Sequence, residues 1–124
     1  MCSAKARVQT TEIERGVHLF NAHEFWHAHE AWEEVWLRSH GEEKQFLQGL
    51  IQLAAAYHHI KRDTPRGAGR LFDAALRRMS GTPDNFFGID RREAVEAATR
   101  HREILARGGR VEIEEAPKLH LILA

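Results

Sequence analysis

The chain has 124 residues, 18 basic and 18 acidic side chains, and one cysteine, Cys2. This length is typical of one domain with its own apolar core, and a single cysteine rules out a disulfide within the chain. The zero net charge argues against a general affinity for nucleic acid or anionic lipid, and no apolar run approaches the roughly 20 residues of a membrane-spanning helix. The cysteine usage and the lack of an apolar leader lead us to expect a cytoplasmic protein.

The predicted helical domain begins after a short tail. Residues 1–10 show no apolar periodicity, and we predict a loose N-terminal tail there. Thr11 and Glu14 have the spacing of a capping box, in which two side chains bond to the backbone amides that open a helix. Apolar residues follow at helical spacing and predict a first helix over about 11–20.

The next two predicted helices are the most informative part of the chain. Asn21, followed three residues later by Glu24, predicts the start of a second helix over about 22–38. Ser39 repeats this pattern before a third helix, over about 42–62, which is the most apolar of all. A helix that is apolar over such a wide arc normally lies at the centre of a fold. We therefore predict a central antiparallel hairpin of these two helices.

Two further helices and an arm complete the predicted fold. Closely periodic apolar residues predict a fourth helix over about 66–80, and a fifth runs from Asp90 to about 107. The segment 110–124 alternates in places and contains a proline, so we predict an extended C-terminal arm without a secure strand. Its last apolar side chains are expected to pack on the domain or on a second subunit. The predicted class is all-α, as a single domain of about five helices over 11–109.

Polar side chains fall inside the apolar faces of the central hairpin. On a helical wheel His29 lies on the same side as Phe25 and Trp36, about 40° from the first and about 20° from the second, with Glu33 one turn further on. The antiparallel hairpin also brings His58 toward this part of the second helix. Burying an unpaired imidazole or carboxylate costs free energy, so these side chains form either a paired core network or a site. The candidate buried polar site comprises His29, Glu30, Glu33, Gln48, Gln52 and His58.

Two interpretations of this cluster stay open. Imidazole and carboxylate groups ligate Zn²⁺ and Fe²⁺, so His29, Glu33 and His58 are metal-ligand candidates for a metal-dependent enzyme such as a hydrolase. In the interpretation that we favour, these groups pair with one another in a structural network, and we predict neither a metal nor another cofactor. The sequence from His29 to Glu33 reads HExxE and lacks the second histidine of the zinc metalloprotease motif.

Three classes of function follow from these features. The first is a non-enzymatic binding or interaction module, with a homodimer as one form, and the second is the metal-dependent enzyme. The third is a nucleic-acid accessory protein that uses the basic helix face Arg66–Arg78. Acidic residues are interspersed in that face, as is typical of an ordinary exposed helix, so we expect neither nucleic acid nor a membrane as partner.

Several short blocks occur together in a known family. They are FN at 20–21, AHE at 28–30, FLQGLIQ at 46–52 and FGID at 87–90, with Phe25, Glu33, Trp36, Ala54-Ala55, His58 and Gly67-Ala68. In combination they resemble the DUF309 family of small bacterial and archaeal helical proteins, over about residues 11–107. The resemblance implies a compact α-helical domain with no established activity, substrate or cofactor. It matches His29, Glu30, Glu33, Gln48 and His58 to signature polar residues, while position 27, often acidic in the family, is His here.

Overall fold

Five helices make up most of the protein. The structure is a computed structural model that describes residues 4–122, with side chains from residue 11 onward. The helices are α1 (Ala4–Asn21), α2 (Phe25–Trp36), α3 (Gly41–Lys61), α4 (Pro65–Ser80) and α5 (Arg92–Ala106). Two short strands, β1 (Ile89–Asp90) and β2 (His120–Leu121), pair antiparallel. The predicted all-α class with about five helices is confirmed. Within the described residues, no helix is long and apolar enough to cross a membrane.

The first helix starts earlier than the sequence pattern indicates. Residues 4–10, predicted to belong to a loose tail, are helical, while residues 1–3 lie outside the described part of the chain. This segment contains alanine, lysine, arginine and glutamine but neither glycine nor proline, so its intrinsic helix propensity is high even without apolar periodicity. Thr11 therefore lies inside α1, and the capping box predicted there does not mark a helix start.

The second helix is shorter than predicted because α1 ends in a Schellman turn. His23 has a positive φ of 63°, and its amide and that of Glu24 donate to the carbonyls of Phe20 and Leu19 at 3.0 and 2.8 Å. Asn21 is thus the last residue of α1 and not the cap of α2. The cap predicted at Ser39 is also wrong, because its hydroxyl donates back to the carbonyl of Val35 at 2.8 Å.

The core is built around α3. This helix contacts α2 and α4 and packs more extensively against α4 than against its predicted hairpin partner α2. Its buried residues are Phe46, Leu47, Gly49, Leu50, Ile51, Leu53, Ala54, Ala56 and Tyr57. On the α1 side, the buried Trp32 lies against Gly16, where any side chain would overlap the indole ring. The indole nitrogen of Trp32 also donates to the carbonyl of Ile13 at 3.2 Å.

The C-terminal arm is fixed to the helices. Strand β2 pairs with β1 so that Leu121 lies opposite Ile89, which corrects the prediction of an arm without a strand. The side-chain amide of Asn21 pairs with both backbone groups of Leu119, and each of the two bonds measures 2.9 Å. Leu119 is buried as expected for the arm, whereas Ile122 remains exposed.

Candidate binding site on the outer face of α3

One row of side chains on α3 is left half-buried by the surrounding helices. Gln48, Gln52, Ala55 and His59 follow one another at helical spacing on the side of α3 that faces away from the core, and we call them the α3 face. Helix α4 borders this row, since Gly67 lies against His59 and Gln52 lines a groove together with Arg77. Helix α2 approaches the row at His58, which lies beside Trp26. The α3 face therefore forms the floor between two helical walls.

Trp26 organises the wall formed by α2. Its indole stacks on the imidazole of His29 with 4.8 Å between ring centroids, and the ring of His58 lies 5.2 Å from it. His29 Nε2 lies 3.3 Å from Glu33 Oε2. The other ring nitrogen of His29, Nδ1, is shielded from solvent and has no hydrogen-bond partner among the residues described. The structure thus brings together three of the predicted site residues around one half-exposed tryptophan.

The predicted network is only partly buried. Glu30 is exposed and pairs with His27 at 3.2 Å, away from the other candidates. The side chain of Glu33 is 49 % exposed and that of His29 is 20 % exposed. These exposed fractions place this edge of α2 at the surface of the described structure. The wheel placed these residues correctly relative to one another but could not show which part of the stripe stays uncovered.

The cluster is not arranged as a metal centre. Between residues 11 and 122, whose side chains are described, no three His, Cys, Asp or Glu residues lie close enough together to hold one metal ion. The pKa of His58 lies below its usual value, because partial burial disfavours the imidazolium and because Arg62 and His59 add positive charge nearby. A lowered pKa keeps this imidazole neutral near pH 7.

An open groove lies between the N-terminal half of α3 and the C-terminal half of α4. Its volume is about 910 Å³, and we call it the α3–α4 groove. Its lining residues are Gly41, Glu42, Lys44, Gln45, Gln52, Ala74, Arg77, Arg78, Gly81 and Thr82. Gln52 belongs both to the groove and to the α3 face, and its Oε1 atom is shielded from water without a hydrogen-bond partner in the described structure. The sequence indicated Gln52 but gave no sign of the groove.

Sequence reasoning also missed a buried arginine behind this groove. Arg91 is fully buried, and its Nη2 donates to the carbonyls of Met79 and Thr82 at 2.7 Å and to the hydroxyl of Thr82 at 2.8 Å. Its guanidinium also lies 4.5 Å from the ring centroid of Phe46. Burial lowers the pKa of Arg91, and Asp84, 3.6 Å from Nε, partly opposes this effect. The adjacent Arg92 is exposed, so no local sequence signal distinguished the two.

Comparison with known proteins confirms the family resemblance. The model described as "Domain of unknown function (DUF309)" matches residues 13–71 of this chain. The matched segment includes the α3 face and its α2 wall but ends before the second half of the groove. An uncharacterized protein from Aquifex aeolicus (strain VF5) is 37 % identical over 79 residues, which are 63 % of this chain and 24 % of the relative. The chain thus spans about a quarter of the relative's length. Neither comparison assigns an activity.

Proposed function

We propose that the protein is a non-enzymatic binding module and that the α3 face, with its two helical walls, is the binding surface. The observation that supports this most directly is a pair of unpaired atoms, His29 Nδ1 on the α2 wall and Gln52 Oε1 on the floor. Buried polar atoms are nearly always hydrogen-bonded, and an unpaired one costs about 1–3 kcal/mol. Two such atoms on one surface are explained if their side chains turn toward a bound partner that supplies the missing bonds, since both atoms are shielded from solvent in the unbound protein.

The chemistry of the lining residues also favours binding over catalysis. The amides of Gln48 and Gln52 and the guanidinium groups of Arg77 and Arg78 form hydrogen bonds, but they do not transfer protons near neutral pH. Among the residues that the structure describes, His29 and Glu33 form an acid–base pair at this surface. The homodimer and the cytoplasmic location remain predictions.

The test compares two glutamines on the same helix face. Gln52→Leu removes the unpaired oxygen, so we expect the free energy of unfolding to stay unchanged or to rise by about 0.5–1.5 kcal/mol in urea denaturation. Gln48→Leu is the matched control, because no Gln48 atom is both shielded from water and unpaired, and its effect should stay within about 0.5 kcal/mol.

A different result would assign these residues to the fold or to catalysis. A loss of more than about 1 kcal/mol for Gln52→Leu relative to Gln48→Leu would mean that the amide supports the fold. The metal-dependent enzyme predicts instead that protein purified without an affinity tag contains stoichiometric Zn or Fe, and that His29→Ala removes the metal while the fold survives. Either outcome would contradict the binding module.

A further inference from the structure

The α3–α4 groove carries an excess of positive charge. Lys44, Arg77 and Arg78 line it, and Glu42 is the acidic side chain of the lining. Within the described residues, neither Arg77 nor Arg78 forms an ion pair with a carboxylate, and Lys44 forms none either. The arginines that do form ion pairs there are Arg38, Arg91, Arg92, Arg102 and Arg110. The three groove cations are therefore not neutralised by a carboxylate at contact distance. Uncompensated cations in a concave surface attract anions.

Neutral contacts hold these cations in place. Arg78 Nη1 donates to the side-chain oxygen of Gln45, and Arg77 Nε donates to the backbone carbonyl of Asp73 at 3.4 Å. The ammonium group of Lys44 lies 4.3 Å from the ring centroid of Trp36 on α2, so it joins an anion in the groove by turning away from that ring. These contacts are all neutral, so they leave the charges available to an anion.

A fourth cation reinforces the field from behind the groove wall. Arg91 bonds to Thr82, which lines the groove, through both the carbonyl and the hydroxyl. Its Nη1 has no hydrogen-bond partner in the described part of the chain, and its closest carboxylate is Asp84, 3.6 Å from Nε. A charge that is shielded from water acts over a longer distance than an exposed one.

The other end of the groove has a different requirement. Gln52 Oε1 is unpaired and shielded from water, and once its side chain turns into the groove it accepts a hydrogen bond from a hydroxyl or an amino group. Gln45, which holds Arg78, lies two turns earlier, so the two ends are about 10 Å apart along α3 at 1.5 Å per residue. A ligand that completes both ends is therefore anionic at one end and a hydrogen-bond donor at the other.

We propose that the α3–α4 groove binds a phosphorylated small molecule that carries a hydroxyl or amino group about 10 Å from its phosphate. Arginine and lysine together are the usual partners of phosphate groups. The groove volume of about 910 Å³ is within the range of small-molecule sites. This inference rests on the proposed function, since it names the ligand class for part of the same surface.

The test measures binding of three phosphates by isothermal titration calorimetry at one ionic strength. The probes are AMP, whose exocyclic amino group lies about 10 Å from its phosphate, glucose 6-phosphate, whose hydroxyl groups all lie closer to the phosphate, and inorganic phosphate. We expect AMP to bind about tenfold more tightly than inorganic phosphate, which corresponds to one additional hydrogen bond. Glucose 6-phosphate is the control for distance and should bind no more tightly than inorganic phosphate.

Four variants locate the binding. Arg78→Gln and Lys44→Gln should each lower the affinity for every phosphate probe about tenfold or more. If thermal unfolding of Arg78→Gln, followed by circular dichroism, is not cooperative, Lys44→Gln alone serves as the test. Gln52→Leu should remove only the advantage of the organic phosphate. Arg66→Gln, on α4 but outside the groove, is the matched control and should change nothing.

Three results would overturn the assignment. The first is that no probe shows saturable binding at millimolar concentration. The second is that Arg66→Gln lowers the phosphate affinity as much as Arg78→Gln does. The third is that a single-stranded oligonucleotide binds more tightly than all three probes and that its binding depends on Arg66. The last result would identify a nucleic-acid face. The stability comparison of Gln52→Leu with Gln48→Leu is independent of these titrations, so failure of the ligand class and failure of the binding module remain distinguishable.

Discussion

Tyr57 and His101 meet inside the core, where the phenol oxygen and imidazole Nδ1 lie 2.8 Å apart. Burial raises the pKa of Tyr57 above its usual range, so the phenol stays protonated. His29 and Gln52 differ from this pair, because each keeps one atom shielded and unpaired at the edge of the α3 face. Arg91 also keeps unpaired nitrogens, but it is fully buried. At the scale of residues, the Tyr57–His101 pair therefore supports the fold, and we assign the unpaired atoms of His29 and Gln52 to the proposed site.

The buried histidine predicts how stability depends on pH. Burial lowers the pKa of His101, Glu115 at 3.9 Å raises it in part, and Arg100 lowers it further. Below about pH 6.5 the unfolded chain therefore binds a proton that the folded protein does not yet accept. We expect the free energy of unfolding to fall by up to about 1.4 kcal/mol per pH unit as the pH drops below that value.

Urea denaturation between pH 7.5 and 5.0 checks this expectation against two variants. His101→Gln keeps a hydrogen-bonding group beside Tyr57 and should remove most of the slope. His58→Gln is the control. The pKa of His58 is also lowered, but this side chain is less buried, so the substitution should remove a smaller part of the pH dependence. An unchanged slope in His101→Gln would show that other groups control the acid sensitivity.

At the scale of elements, the helix ends explain which predictions were correct. The bounds predicted for the third and fourth helices, about 42–62 and 66–80, agree with α3 and α4 to within a residue. Glycine, aspartate and proline punctuate the chain there, and their conformational preferences act locally. The start of α2 was predicted wrongly, because a non-glycine residue, His23, adopts the left-handed conformation that ends α1. Such a conformation has no reliable signal in the sequence.

The attachment of the arm provides a prediction at this scale. Asn21→Ala should lower the free energy of unfolding by about 1–3 kcal/mol, because it leaves both backbone groups of Leu119 without their partners. Glu93→Ala removes exposed contacts to the same arm, at Lys118 and His120, and should cost less than about 1 kcal/mol. Both variants are measured by urea denaturation and by limited proteolysis of the arm. Equal losses would show that Asn21 does not anchor it.

At the scale of the whole molecule, the position of α3 between α2 and α4 brings the candidate residues to one surface. The sequence pattern indicated His29, Glu33 and His58 as candidates, because each interrupts or borders an apolar face of its own helix, and it indicated Gln52 as part of a separate polar stripe on the third helix. It could not find the groove, because Arg77 and Arg78 look like an ordinary exposed helix face until α4 is placed beside α3. The proposed binding surface is thus a product of packing between helices, to which local patterns contribute only the separate residues.

The central claim is that binding occurs on the outer side of α3. Its most direct test is a ¹⁵N chemical-shift titration of the whole chain with the most tightly bound of the three phosphates. We expect the perturbed amides to lie in the first half of α3, about residues 41–55, and in the end of α4, about residues 74–82. The amides of α1 and α5 should remain unchanged. Perturbations centred on α1 or α5, or on the Arg66 end of α4, would contradict the account.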